Sequence, residues 1–130
     1  MTLPITLAMA GIAAFINIWL MIRVGQVRGS ESVNVGDGGN EKVIRRMRAH
    51  SNFIESTPFV LILIGLIEMA TGPSTWLWAV GSVYMLGRVA HGIGMDEGVF
   101  MKGRFIGTVV TMLVLLGLGV YAFVIPYLVG

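Results

Sequence analysis

"RMRAHSNFIESTPFVLILIGLIEMA", Arg46 to Ala70, decides the fold. Its first ten residues hold two arginines, a histidine, an asparagine and a glutamate, and the next fifteen hold one charge, Glu68. No turn signal separates the halves, so one helix carries both. The apolar run from Phe53 to Thr71 has the roughly 20 residues that a bilayer core requires, and its polar lead-in begins at Glu41. "TGPST" then breaks the chain, because Gly72 and Pro73 favour a turn over a continued helix.

The rest of the chain fits a membrane setting. Hydrophobic residues make up 55% of the 130 and charged residues 12%, against about 25% charged in a typical soluble domain. The stretch Leu3–Ile22 is long enough to span, and its start, "MTLPITLAMA", has no Lys or Arg. A secretory signal favours a cationic start, so a retained helix is expected. Two further apolar segments run over Trp76–Gly94 and Phe105–Val129. The expectation is an all-α membrane protein: one domain over residues 1–130, a four-transmembrane-helix bundle with helices near 3–28, 41–71, 75–95 and 99–129. The glycine-rich stretch Gly29–Asn40 reads as a loop and lacks the Gly-Lys-Ser/Thr ending of a phosphate loop.

The cations sit in two of the three links. Arg23, Arg28, Lys42, Arg45, Arg46 and Arg48 flank the first, and Lys102 and Arg104, with Arg88 before them, flank the third. "TGPST" has none. Four spans put both basic links on one side, which the positive-inside rule makes cytoplasmic, with both termini outside. A net charge of +2 is too weak a bias for nucleic acid. The absence of cysteine excludes thiolate metal sites and a cysteine nucleophile, so any thiol must come with a ligand. Two histidines without carboxylates at ligand spacing make no metal site.

At about 100° per residue, Glu41, Arg45, Arg48, Asn52 and Glu55 fall on one stripe roughly 80° wide. Arg46 and His50 point elsewhere and read as rim or packing residues. On the third helix Tyr84, Arg88, His91 and Met95 share a face; on the fourth, Thr108 follows Arg104 by one turn. Structural readings compete for several of these. Arg23 and Arg46 can snorkel to headgroups, Arg88 can pair with Glu55 or Glu68, Glu68 reads as an interhelical contact, and His91 can be a core histidine. Trp19, Trp76 and Trp78 read as interface anchors. The Arg48–Asn52–Glu55 ladder is harder to explain as structure, since ionisable groups in membrane segments are costly and mark function.

Arginine forks match carboxylates, and a glutamate can hold an ammonium. A small zwitterion with more than one carboxylate complements that stripe. Glutathione is such a molecule; other amino-acid or dicarboxylate ligands satisfy the pattern equally.

"RMRAHSNFIESTPF" followed by "GRVAHGIG" resembles the membrane-associated proteins in eicosanoid and glutathione metabolism (the MAPEG family). These include microsomal glutathione transferases, microsomal prostaglandin E synthase and bacterial members. Arg48, Asn52 and Glu55 match the family's helix-two signature. "GQVR" (25–28), "VGDGGN" (35–40) and "GRVAH" (87–91) extend the likeness over most of the chain. The resemblance implies a homotrimer in a membrane, the bacterial inner membrane, with glutathione as co-substrate at cytoplasm-facing sites between subunits. By position, Arg28, Arg48, Asn52 and Glu55 would hold glutathione, Arg88 and His91 would belong to the neighbouring wall, and Arg104 would be the catalytic residue that stabilises the thiolate. No metal is implied. The expected activity is conjugation of glutathione to lipophilic electrophiles, with peroxidase action on lipid hydroperoxides, as in detoxification. The chain departs from the pattern of another member, leukotriene C synthase: Ser56 and Thr57 follow Glu55 where that enzyme has a tyrosine directly after the glutamate, and His91 and Met95 stand where it has two tyrosines on the third helix. A non-enzymatic lipid- or glutathione-binding scaffold of the same fold is the alternative. A transporter would want a polar face at full depth, whereas "MLVLLGLGVYAFVI" (112–125) is apolar.

Overall fold

The computed structural model describes residues 2–129, with only the backbone of Val129. It contains four helices: α1 Pro4–Ser30, α2 Glu41–Thr71, α3 Thr75–Gly94 and α4 Met101–Val129. Local chemistry sets their ends. Pro4 occupies the first turn of α1, where its missing N–H costs nothing. Asn40 caps α2, its Oδ1 accepting from the N–H groups of Lys42 at 3.0 Å and Val43 at 3.2 Å. Gly72 stops α2 at φ 81°, a conformation that glycine adopts without strain.

α1, α2 and α4 are long and apolar enough to cross a membrane. α3, also expected to span, is less apolar than the other three. Its 20 residues reach about 30 Å, just the thickness of a hydrocarbon core, but glycines, Arg88 and His91 dilute its hydropathy. The dilution is tolerable because Tyr84, Arg88 and His91 are buried inside the bundle. α3 packs tightest on α4. A Cβ on Gly107 would lie 2.5 Å from the carbonyl oxygen of Gly87 and 2.5 Å from the Cβ of His91. Small residues of this kind let membrane helices approach closely.

Contacts at the two ends fix how the helices alternate. At one end Glu68, near the close of α2, accepts from the N–H groups of Ile5 at 3.0 Å and Thr6 at 2.9 Å and from the Thr6 hydroxyl at 2.8 Å. This carboxylate satisfies donors that the start of α1 otherwise leaves unpaired, and its charge suits the positive end of that helix. Glu68 is thus an interhelical contact, as the sequence indicated. At the other end Asp96, in the α3–α4 turn, meets Arg23 of α1 and Arg46 of α2. Both basic links lie at this second end.

The apolar core runs between these ends through Ile5, Met9 and Leu20 of α1, Val60, Ile64 and Ile67 of α2 and Leu77 of α3. The outward faces are equally apolar: Leu7, Phe15, Phe59, Leu86, Phe105, Leu116 and Phe123 are all exposed. A bundle that is hydrophobic both inside and out is built for lipid.

Candidate functional site

The basic end divides into groups that hold the fold and groups left free. Asp96 accepts from Arg23 Nη2 at 2.7 Å and from Arg46 Nη2 at 3.0 Å and Nε at 3.1 Å. Arg46 Nη1 also donates to the Arg23 carbonyl at 2.9 Å, and Arg23 stacks on Trp19. Burial raises the Asp96 carboxyl, yet the hydrogen bonds and charges of Arg46 and Arg23 together hold its pKa below the ordinary value. Snorkelling to headgroups, one reading of Arg23 and Arg46, does not describe them: both turn inward to one carboxylate. Arg45 is structural too, bonding the Met95 carbonyl at 3.3 Å and pairing with Glu41 at 3.4 Å.

The helix-two stripe is therefore used in parts. Its Arg45 end is tied down. Arg48 and Glu55 are exposed and, among the described residues, their side chains make no hydrogen bond or ion pair. Arg104 is exposed in the same way at the start of α4. Asn52 is half-buried and accepts from Arg88 Nη2 at 2.7 Å. Arg88 is 1% exposed and also donates through Nη1 to Thr111 Oγ1 at 2.9 Å. No ion pair with Glu55 or Glu68 forms. Glu68 lies thirteen residues beyond Glu55 on α2, about 20 Å further along the axis, at the opposite end. His91 is buried on α3, three residues after Arg88, its Nδ1 without a hydrogen-bond partner.

A groove of about 490 Å³ opens between α1 and α2, lined by Arg28, His50, Ser51 and Glu55 with Met21, Val24, Met47 and Ile54. Arg28 is steered over it by the loop: its Nε donates to the Gly36 carbonyl at 3.0 Å. Within one chain, then, the candidates do not all converge. Arg28 and Glu55 line the groove with His50, whereas half-buried Asn52 and buried Arg88 are bonded together towards α4. Arg48 and Arg104 project outward and are not in the groove.

Sequence reasoning missed the part played by four residues. His50, read as rim or packing, lines the groove, with Nε2 2.7 Å from Asn17 Oδ1; helical phase sets it opposite the stripe but cannot show that a groove reaches round to it. Ser56 and Thr57 share the buried Tyr84 hydroxyl at 3.0 and 2.9 Å, so their hydroxyls face the core. Thr111 holds Arg88. Its signal was present: Gly103, Gly107 and Thr111 recur every fourth residue, the spacing of one small-residue helix face.

Taken together, the fold and this rim define a class: a helical integral membrane protein with free arginines, an amide and a carboxylate at one end of an apolar bundle. The sequence model of the MAPEG family matches residues 6–124, and the chain belongs to that family. Two similar proteins are each described as "Inner membrane protein YecN", from Escherichia coli strain K12 and from Escherichia coli O6:H1 strain CFT073. Each is 32% identical over 82 residues, which cover 62% of this chain and 62% of the relative. The similarity thus spans under two thirds of those proteins' length.

Proposed function

We propose that the protein is a glutathione transferase of the membrane, conjugating glutathione to lipophilic electrophiles and reducing lipid hydroperoxides with the same thiol. One observation carries this reading: among the described residues Arg48, Glu55 and Arg104 are exposed with no hydrogen bond or ion pair from their side chains, while Arg23, Arg45 and Arg46 at the same end are all tied down. Exposed ionisable groups against lipid are costly, so a polar ligand or a second subunit is required to cover them. Glutathione supplies two carboxylates for arginine forks, an ammonium for Glu55, and the thiol that this cysteine-free chain lacks.

Arg28, Arg48, Asn52 and Glu55 hold the co-substrate, the buried Arg88 and His91 belong to the wall behind it, and Arg104 stabilises its thiolate. A fixed cation favours the ionised thiol, and the thiolate is the nucleophile. Lowering a thiol's pKa by about two gives roughly a hundredfold more thiolate well below that pKa. The thiolate sulfur attacks the electrophilic carbon and displaces its leaving group. The separation of Arg28 and Glu55, in the groove between α1 and α2, from Asn52, turned towards α3 by its bond to buried Arg88, supports a site completed between copies, as in a homotrimer. The distribution of cations supports a cytoplasmic site with both termini outside, and the YecN relatives' description supports a bacterial inner membrane.

Purified protein in lipid nanodiscs should conjugate glutathione to a generic aromatic electrophile and show thiolate ultraviolet absorbance at neutral pH. Loss of both in Arg104→Ala, with binding retained, is the expected result; an intact thiolate signal in that variant removes Arg104 from the role. A lipid- or glutathione-binding scaffold is the second reading. The inward-turned Ser56 and Thr57 hydroxyls favour it, because they leave the cradle with fewer donors. Glutathione binding without turnover of electrophiles or hydroperoxides would establish it.

A further inference from the structure

Behind the rim, a chain of hydrogen bonds runs from α4 through α3 to α2. Its anchor is Thr111, whose hydroxyl donates to the Gly107 carbonyl at 2.8 Å. That hydroxyl hydrogen is committed, so Arg88 Nη1 meets the oxygen's lone pairs at 2.9 Å. The opposite arm, Nη2, reaches Asn52 Oδ1 at 2.7 Å. A guanidinium can only donate, so this contact forces the Asn52 amide to turn its oxygen inward and leaves its NH2 as the end available to a ligand. Among the described residues no carboxylate lies within 4.0 Å of Arg88, and its buried Nε has no partner. A buried cation without a counter-charge is costly, and a nearby anion offsets that cost.

Resting on the glutathione reading, we infer that Thr111 is a positioning residue for that site: acting through Arg88, it fixes Asn52 as a hydrogen-bond donor backed by an uncompensated positive charge. The co-substrate group received there is an anionic acceptor, a carboxylate or the thiolate. The tight α3–α4 contact at Gly107 keeps the Thr111 hydroxyl in place, one turn further along the same face. A hydroxyl that merely filled space would be replaced by the near-isosteric valine without effect on the ligand.

The test uses the full chain in nanodiscs, with glutathione as the probe. Calorimetry should show Thr111→Val binding glutathione roughly tenfold more weakly, the loss expected for a hydrogen bond to a charged group. Thr111→Ser should recover to within about twofold, since it keeps the hydroxyl. In turnover, the Val variant should raise KM for glutathione by more than it lowers kcat. In an Arg88→Met background, adding Thr111→Val should change affinity no further. Should Thr111→Val fail to assemble, Thr111→Ala carries the same expectation without any risk of overpacking. Wild-type affinity in the Val or Ala variant, or an equal loss in the Arg88→Met background, overturns the positioning role while leaving the function reading intact. A wild-type protein that binds no glutathione overturns that function reading, and this inference with it.

Discussion

The two ends of the bundle use carboxylates in opposite ways. At the α1 start, Glu68 has three donors, two of them backbone N–H groups, and no arginine. It is a cap, and it leaves no charged group in need of a partner. At the other end one carboxylate, Asp96, is shared by two arginines, while Arg48, Arg88 and Arg104 have none. Glu31 and Glu41 take up Lys42 and Arg45 at that end, and Arg88 bonds α2 to α4, so Arg48 and Arg104 are the arginines that are surplus to architecture among the described residues. The surplus, more than any single residue, marks that end as the binding end.

Breaking the cap should have the largest effect. Glu68→Ala leaves the Ile5 N–H buried and the two Thr6 donors half-buried without their partner, which costs about 3 kcal/mol. Unfolding in mixed micelles should show that loss, with glutathione affinity of the surviving folded fraction unchanged. A variant as stable as the wild type would mean that Glu68 is no cap, and the contrast between the ends would fail.

The rim clamp comes next. Asp96→Asn should cost about 2 kcal/mol, since it weakens charge-assisted bonds to two arginines. It should also change the response to acid. The Asp96 pKa is lowered in the folded protein, so its stabilisation is present above the unfolded value of about 3.9 and is lost as pH falls through the folded value. Melting temperature should therefore drop below about pH 4 in the wild type and drop less in Asp96→Asn. Parallel pH profiles for the two proteins would show that another group governs acid sensitivity.

How much of this was legible in the sequence follows from what each feature depends on. Helix ends were readable because Asn40, Gly72 and Pro73 act within a few residues. The split of Arg48 and Asn52 from Arg46 and His50 was readable because it needs only a helical period, whereas Glu55 shares the groove with His50. Charge partners were not. Sign alone offered Glu55 or Glu68 to Arg88, yet depth rules out Glu68, and Arg88 settles on neutral Asn52 and Thr111 instead. Arg23 and Arg46 looked like separate helix-end cations because their meeting at Asp96 requires three elements to converge. The groove beside His50 depends on how α1 leans on α2, which no single-helix pattern encodes.

The smallest effect tests the surplus itself. Arg48 is exposed and, among the described residues, forms no ion pair, so Arg48→Ala should alter stability by less than about 0.5 kcal/mol. If its charge serves a ligand carboxylate, the same change should weaken glutathione binding about tenfold, or roughly 1.4 kcal/mol. Raised ionic strength should shrink the difference between the two proteins, because an exposed charge is screened over about 10 Å at 0.1 M salt. Arg45→Ala is the control from the same stripe. It should lower stability through its lost bond to the Met95 carbonyl and spare affinity. An Arg48 variant that loses stability but not affinity would reverse the assignment. The rim would then be a second structural end, like the one at Glu68, with its arginines consumed by neighbouring subunits and not by a ligand.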